Sequence, residues 1–538
     1  MNLIKLLLSY SPKNFALAVL SGILSGASAT GLIILINNAL SQSYSSTTTL
    51  AWLFVSLCLL RVITNFASRF FFISLLEDST FHLQMDLVRK ILASPLRQLE
   101  EIGVPRLLAT FTEDIEKIAD TTSILPIVLI DIAILFGCGI YVIWLSPTVF
   151  LIGLCLFILG LCSYYLLKKK AESCFQLARE QKDKLIRHFH TIIKGNKELK
   201  LNYQRCKLFL KQYFETTAVS YKDYNIRGEN IFAGMISWGQ ILFFIVIGIF
   251  LFALPRLISI NSAIISHYTL VFIYVMAPLE HVIGYLPRLS KTIVSLKNID
   301  DLELSEPVNS QQEHSPNLLE SVVSWQCLKF IGVTHEYDRK LEEKKPIIGP
   351  IDLTFYPGEL VFIIGGNGSG KSTLAKLITG LYTPKSGEIY LDNNLIDSQN
   401  REWYCQQFSA IFSDFHLFYP LSSIEKKCDL DNKINFYLEK LQLDDKVKVK
   451  NGVLSNMDLS TGQRKRLALL VAYLEDRPIY LFDEWASEQD YKFKKIFYTE
   501  LLPELKRRGK TILVISHDDQ YFALADRIIK LEKGKVIN

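Results

Sequence analysis

The segment from Asn14 to Leu40 carries no charged residue. Coiled as a helix rising about 1.5 Å per residue, it is long enough to cross the roughly 30 Å hydrocarbon core of a bilayer. Lipid offers no hydrogen bonds, so a segment of this kind must satisfy its backbone internally, and helix is the state that does so. Similar apolar runs recur at Leu50–Leu76, Ser123–Leu145, Thr148–Leu167, Ile231–Leu254 and Ala263–Leu286. Six membrane spans are therefore expected in the first three hundred residues.

The connections between these runs alternate. SQSYSSTTT and the Ser146-Pro147 turn are uncharged, and the loop near Pro255–Ile260 carries only Arg256. The other two connections are long and rich in lysine and arginine, including Lys168-Lys169-Lys170. The positive-inside rule places those long loops, both termini and everything after Pro287 in the cytoplasm. Both long loops have helical periodicity, interrupted at Ser94-Pro95, Pro105 and Gly195-Asn196. Two hydrophobic hairpins thus continue inward as helices, each turning at a short break; amphipathic helices lying on the membrane satisfy the same pattern. The opening MNLIKLLLSYSPKNF lacks a small-residue cleavage site and reads as an uncleaved amphipathic entry helix. Because the spans begin this early, no leader-peptidase domain is expected ahead of them.

Composition excludes several classes. The formal net charge of +5 is modest for 538 residues, and no basic block points to nucleic acid as a partner. Nine cysteines are scattered without a CxxC pair, which argues against a zinc site or a disulfide framework. After a polar, proline-bearing stretch, SEPVNSQQEHSPN, short β-type runs (SVVSW, LVFII, IYLF, TILVIS) alternate with helical segments. That alternation predicts an α/β domain with a mostly parallel sheet. The expected division is a membrane domain over 1–302, a linker over 303–317 and a soluble α/β P-loop domain over 318–538.

GGNGSGKST, Gly365 to Thr373, fits G-x-x-x-x-G-K-[ST] between a strand run and a helical run. The backbone N–H groups of Gly366, Asn367, Gly368, Ser369 and Gly370 can curl around phosphates at a helix N-terminus. Lys371 would reach the β- and γ-phosphates, Ser372 would offer its hydroxyl to Mg²⁺, and Thr373 completes the motif. IYLFDE, Ile479 to Glu484, is an apolar strand ending in two carboxylates. Asp483 would hold Mg²⁺ through water, and Glu484 stands where it could polarise an attacking water. In LSTGQRKRLALL, Ser460 and the N–H groups after it open another helix, either as an ordinary cap or as a second anion site.

Phosphate loop, then Leu-Ser-x-Gly-Gln, then Asp-Glu, then His517 after a strand is an order that resembles the nucleotide-binding domain of ATP-binding cassette proteins. The six-span half resembles the exporter type, whose membrane domain precedes the cassette in one chain. The resemblance implies that Tyr337 stacks on adenine, Glu484 is the catalytic base and His517 contacts the γ-phosphate. It implies that Asp490 couples two sites, and that Ser460, Gly462 and Gln463 close on ATP bound to an opposite subunit. With one phosphate loop and one signature per chain, it implies a homodimer holding two ATP and Mg²⁺ between its cassettes. The breaks in the inner loops resemble helices that transmit cassette closure to the membrane domain.

The sequence departs from the family pattern in two places. The family's usual glutamine falls on Ser413, too short to repeat that reach, so a water between Ser413 and Mg²⁺, or no contact, is expected. The stretch from Ser413 to the signature is short and lacks a Gly-Glu-Arg-Gly-like segment. FSAIFSDFHLF, LSTGQRKRLALL and DEWASEQD together resemble the cyclic-peptide exporter branch that includes pyoverdine- and syringomycin-type exporters. This implies ATP-driven export of a peptide-like cargo, a cyclic peptide or peptidic siderophore, across the bacterial inner membrane. A lipid or drug exporter and a non-transporting membrane sensor are the rival readings. Arg61, Asp131, Glu280 and His281 are intramembrane ionisable residues and hence candidates for function. Arg61 and Asp131 are expected to line the cavity, paired when it is empty.

Overall fold

The computed structural model describes residues 7–8, 10–40, 47–253, 256, 262–305, 324–336, 347–418, 430–450, 453–455 and 459–537. Tyr337 and most of the expected linker lie outside the described residues. The chain divides into two compact units. One comprises Met1–Val88 with Pro105–Glu303, the other Arg89–Val104 with Leu304–Asn538. The sequence alone assigned Arg89–Val104 to the membrane domain; its contacts group it with the cassette instead.

The first unit is built from α1 (Pro12–Leu40), α2 (Thr47–Ala93), α4 (Val104–Leu145), α5 (Pro147–Lys194), α7 (Tyr203–Ala253) and α8 (Ser262–Asp300). Short α3 (Leu96–Ile102) and α6 (Asn196–Leu201) fall at the two predicted breaks. The first break has a local cause. Pro95 lacks the N–H a continuing helix needs, and Gly103 takes φ +82, a region that side chains avoid.

Among the described residues five helices are long and apolar enough to cross a membrane: α1, α2, α4, α7 and α8. This differs from the six spans expected. The run Thr148–Leu167 is helical, within α5, but the side chains of 156–157 and 159–168 lie outside the described residues. α5 packs along α7, and α4 packs along both α8 and α1. Small residues make the α1–α4 seam possible. A Cβ on Gly26 would lie 2.4 Å from Ala133 Cβ, and one on Gly137 would lie 2.5 Å from Thr30 Oγ1. In lipid, close backbone approach of this kind replaces the hydrophobic drive that joins helices in water. The Ser68 hydroxyl donates to Ala18 O at 3.1 Å, and Thr292 to Thr121 Oγ1 at 2.6 Å, so these two buried hydroxyls join neighbouring helices.

In the second unit, β1 (Leu328–Glu336), β2 (Ile347–Phe355), β4 (Ser386–Leu391) and β5 (Asn394–Leu395) form an antiparallel sheet in the order β2-β1-β4-β5. The larger sheet contains β3 (Leu360–Ile364), β6 (Phe408–Ile411), β7 (Ile479–Asp483), β8 (Thr511–Ile515), β9 (Arg527–Glu532) and β10 (Lys535–Ile537). Its order is β10-β9-β3-β8-β7-β6, parallel throughout except for the β9–β10 pair. The central strands are buried on both faces: Leu360 and Phe362 enter one core, Val361 and Ile363 the other. Such two-sided burial explains why these strands read as unbroken apolar runs. Chain order leaves the loops after β3, β6, β7 and β8 at the same carboxyl edge of the sheet, the edge where open α/β sheets bind ligands.

Candidate functional site

The phosphate loop follows β3 and ends at Gly370, whose φ of +101 starts helix α9 (Lys371–Ile378). A side chain there would be strained, and its Cβ would also lie 2.9 Å from Ile348. Lys371 is buried, its ammonium donating to Gly365 O at 2.9 Å and Gly366 O at 3.1 Å. Two carbonyls of the loop thereby hold the cation against the turn that leads into α9, a setting that attracts a phosphate. Ser369 is buried with its hydroxyl unpartnered, while Ser372 and Thr373 begin α9.

Asp483 ends β7 at 1% exposure, and neither carboxyl oxygen has a hydrogen-bond partner within the protein. Burial pushes its carboxyl above the usual carboxylate range, and the Glu484 and Asp414 charges push the same way. The Ser372 hydroxyl, close enough to favour the charged form though outside hydrogen-bond geometry, and the Lys371 charge pull it back down. A buried carboxylate without a partner is costly unless a cation compensates it. The orphaned Asp483 oxygens beside the Ser372 hydroxyl therefore fit a hydrated Mg²⁺, a hard cation that prefers oxygen ligands.

Glu484 follows in the left-handed conformation, φ +50. Its N–H donates to Ile515 O at 3.1 Å. Its carbonyl accepts from Ser487 Oγ at 2.7 Å and Lys465 Nζ at 3.0 Å. The tight backbone turns the carboxylate towards the loop after β8, where His517 Nε2 lies 3.3 Å from Glu484 Oε1. Two proposed catalytic residues, 33 positions apart, thus meet because β7 and β8 pair in parallel with Asp483 level with Ile515.

The signature motif lies at the start of α12 (Thr461–Glu475), numbered after α10 (Arg401–Cys405) and α11 (Leu430–Lys440). Ser460 and Gln463 form a reciprocal cap: Ser460 N donates to Gln463 Oε1 at 3.0 Å, and Gln463 N to Ser460 Oγ at 3.4 Å. Within this chain both residues therefore complete the helix start. Gly462 has a separate reason to be glycine, since a Cβ would fall 2.8 Å from Glu488 O. Gln489 Nε2 donates to Gly462 O at 2.9 Å, and Arg466 Nη2 to Asp490 Oδ2 at 2.5 Å. The Phe493 N–H, with help from Arg466, holds the Asp490 carboxyl below its usual range. The signature and the Asp490 loop are thus one packed unit.

Reading the sequence missed Lys465, although the Arg-Lys-Arg run at 464–466 marked a helix face. Lys465 is 2% exposed and points inward to the Glu484 carbonyl. Glu100, on α3, was missed as well. It accepts from Lys376 Nζ at 2.7 Å and from the Tyr382 hydroxyl, while Leu96 packs against the cassette core. Ser413 is exposed in the turn that follows β6, where Phe415 N–H returns to Phe412 O at 3.3 Å.

In the membrane unit Arg61, Asp131 and His281 line one cavity of about 530 Å³. The pairing expected between Arg61 and Asp131 is not the one formed: Asp131 Oδ2 lies 2.8 Å from His281 Nδ1. The reason is packing. α4 runs along α8 and brings Asp131 to His281, whereas Arg61 comes from α2. Glu280 instead accepts from Gln240 Nε2 at 3.3 Å.

A phosphate loop, an unpartnered buried Asp483, and a Glu484–His517 pair on one edge of a parallel sheet define an ATP-hydrolysing cassette. In this chain it is joined to a bundle of membrane-length helices. The ABC transporter family profile matches residues 348–487, and the ABC transporter transmembrane region profile matches 13–279. The chain is 38% identical to ATP-binding protein SyrD of Pseudomonas syringae pv. syringae over 547 aligned residues, covering all of this chain and 96% of that one. It is 31% identical to an ATP-dependent lipid A-core flippase of Alkalilimnicola ehrlichii over 49% of this chain and 45% of that one. Its fold matches a bacterial Atm1-family ABC exporter with ATP bound at TM-score 0.77 and 15% identity, covering 98% of this chain and 95% of that one. The chain belongs to the ABC transporter family and is an exporter, a multi-pass membrane protein whose ATP hydrolysis is coupled to transport.

Proposed function

We propose that this exporter moves a peptide-like compound, a cyclic peptide or peptidic siderophore, out of the bacterial cytoplasm across the inner membrane. The observation that carries this reading is the similarity to SyrD over the full length of both chains. The segments FSAIFSDFHLF, LSTGQRKRLALL and DEWASEQD, which resemble the cyclic-peptide exporter branch, lie within that similarity and agree with it. The lipid-exporter reading rests on flippase matches: one at 31% identity over about half of each chain, and one at 23% identity over 97% of this chain and 91% of that one, well below the identity to SyrD.

The working unit in this proposal is a homodimer with six spans per chain, a linker over 303–317 and cassettes in the cytoplasm. Each ATP lies on the phosphate loop of one protomer, with Tyr337 against its adenine, and meets Ser460, Gly462 and Gln463 of the other. Lys371 and the loop N–H groups bind the phosphates. Ser372 and Asp483 would hold Mg²⁺, which when bound neutralises phosphate charge. Glu484 accepts the proton of the attacking water, and His517 fixes that carboxylate while reaching the γ-phosphate.

Proteoliposomes containing the purified protein test the cargo, with a Glu484→Gln variant as the hydrolysis-deficient control. ATP-dependent uptake of an acylated cyclic peptide, and not of lipid A core, is the expected result. Movement of lipid A core alone would overturn the peptide reading. ATP turnover without movement of either would favour a membrane sensor.

A further inference from the structure

The cavity of the membrane unit has an apolar wall with a single kind of charge left to offer. Ile33 and Ile36 of α1, Ile134 of α4, and Leu270 and Ile273 of α8 supply aliphatic surface. Of the carboxylates on the surrounding helices, Asp131 is engaged by His281 and Glu280 by Gln240. Among the described residues no acidic side chain lies within ion-pair distance of Arg61. An arginine at membrane depth is expensive to maintain, and one facing a cavity without a counter-ion marks a place where a ligand supplies it.

We infer that Arg61 is the anion-binding residue of a cargo site that takes an amphipathic carboxylate. The aliphatic part of the ligand would lie on the isoleucine-rich wall and the carboxylate on the guanidinium. This inference rests on the peptide reading above and specifies the group of the cargo that is recognised, a free carboxylate on a side chain or at a terminus. Arginine suits the task because its planar fork of N–H donors matches both oxygens of a carboxylate. The low-polarity walls strengthen that attraction relative to water. A volume of about 530 Å³ lies within the range that encloses a small-molecule-sized group. The Asp131–His281 pair has a different part: with its carboxylate already bonded, Asp131 does not close over Arg61 and displace the ligand. Arg61 is therefore a specificity-determining residue, and the Asp131–His281 pair fixes another part of the cavity lining.

The test is calorimetric titration of the full-length protein in phosphatidylcholine nanodiscs. The probe is N-octanoyl-leucyl-leucine as the free acid, compared with the same compound as its C-terminal amide. A charge-assisted pair in a low-polarity site predicts that the acid binds roughly tenfold or more tightly than the amide. Arg61→Gln should erase that preference, and Arg61→Lys should retain part of it, which separates loss of charge from failure to fold. Equal binding of acid and amide by the native protein would overturn the assignment of Arg61 while leaving the peptide reading intact. A preference that survives in Arg61→Gln would overturn it too. Repeating the titration with phosphatidylglycerol in the disc distinguishes the source of the anion. Displacement of the acid by that lipid would uphold the anion site but refute a peptide as its natural occupant. Failure of both probes to bind where phosphatidylglycerol does bind would have the same meaning.

Discussion

Lys465→Met is the substitution that best separates positioning of the proposed catalytic carboxylate, Glu484, from its chemistry. Lys465 is 2% exposed and donates to Glu484 O at 3.0 Å and Ser487 Oγ at 3.2 Å, with Glu488 Oε2 at 3.8 Å. These bonds hold Glu484 in a left-handed conformation that costs a non-glycine residue about 1–3 kcal/mol. Methionine keeps most of the volume and removes both donors. Each hydrogen bond from a charged donor contributes about 1.5–3 kcal/mol, offset by relief of the buried ammonium's desolvation. The Ser487 hydroxyl still covers the Glu484 carbonyl, so no acceptor is orphaned. The net loss of about 1–3 kcal/mol falls on the orientation of Glu484 towards the attacking water, which corresponds to roughly 5- to 150-fold in turnover. Steady-state ATPase assays in nanodiscs should show that loss in kcat, with KM for ATP little changed, because no phosphate-binding group is touched. Turnover at the native rate in a folded Lys465→Met protein would refute this account of Glu484.

Asp483→Asn should stabilise the nucleotide-free protein while weakening Mg²⁺ binding, read respectively by the thermal midpoint in chelator and by Mn²⁺ paramagnetic resonance. Burial raises the folded pKa of Asp483 above its unfolded value, so the charged carboxylate destabilises the fold at high pH. That penalty shrinks as pH falls through the folded pKa, and the advantage of the asparagine variant should shrink with it; an advantage that grows on acidification would be the wrong sign. Gly462→Ala places a Cβ 2.8 Å from Glu488 O, and overpacking of about 1–3 kcal/mol should lower ATP turnover by about fivefold or more; unchanged turnover would show that the signature and the Asp490 loop can part freely. Gly26→Ala should lower the melting midpoint, because its methyl would lie 2.4 Å from Ala133 Cβ. Ala133→Gly in the same chain should restore it, and failure of that rescue would place the damage elsewhere.

The residues legible in the sequence are those whose chemistry needs neighbours along the chain. A phosphate loop must be contiguous, since successive N–H groups make the cradle, and Asp483-Glu484 must follow a strand to stand at the sheet edge. What was hidden depends on long-range contact. Glu100 and Lys376 are 276 positions apart, and Asp131 and His281 are 150 apart. No local pattern assigns Arg89–Val104 to the cassette or chooses His281 over Arg61 as the partner of Asp131. Lys465 was hidden differently. In Arg464-Lys465-Arg466 three cations look equivalent, and only the helix phase of α12 turns the middle one inward.

The same logic bears on Ser413. Strand β6 pairs with β7 in parallel, Ile411 level with Phe482, so the turn at Ser413-Asp414 emerges beside Asp483 and Glu484. Position along the sheet edge is thus retained even though the residue differs from the glutamine usual in the resembling family. Ser413 brings a short hydroxyl to that edge, while the charge of the adjacent Asp414 acts on Asp483. The fold supplies a place for a polar group at this turn, and the sequence decides its reach and charge. A chain can therefore depart from the family at Ser413 and still keep Lys371, Ser372, Asp483, Glu484 and His517 in an arrangement suited to ATP hydrolysis, because those residues are placed by β3, β7 and β8 and not by the turn after β6.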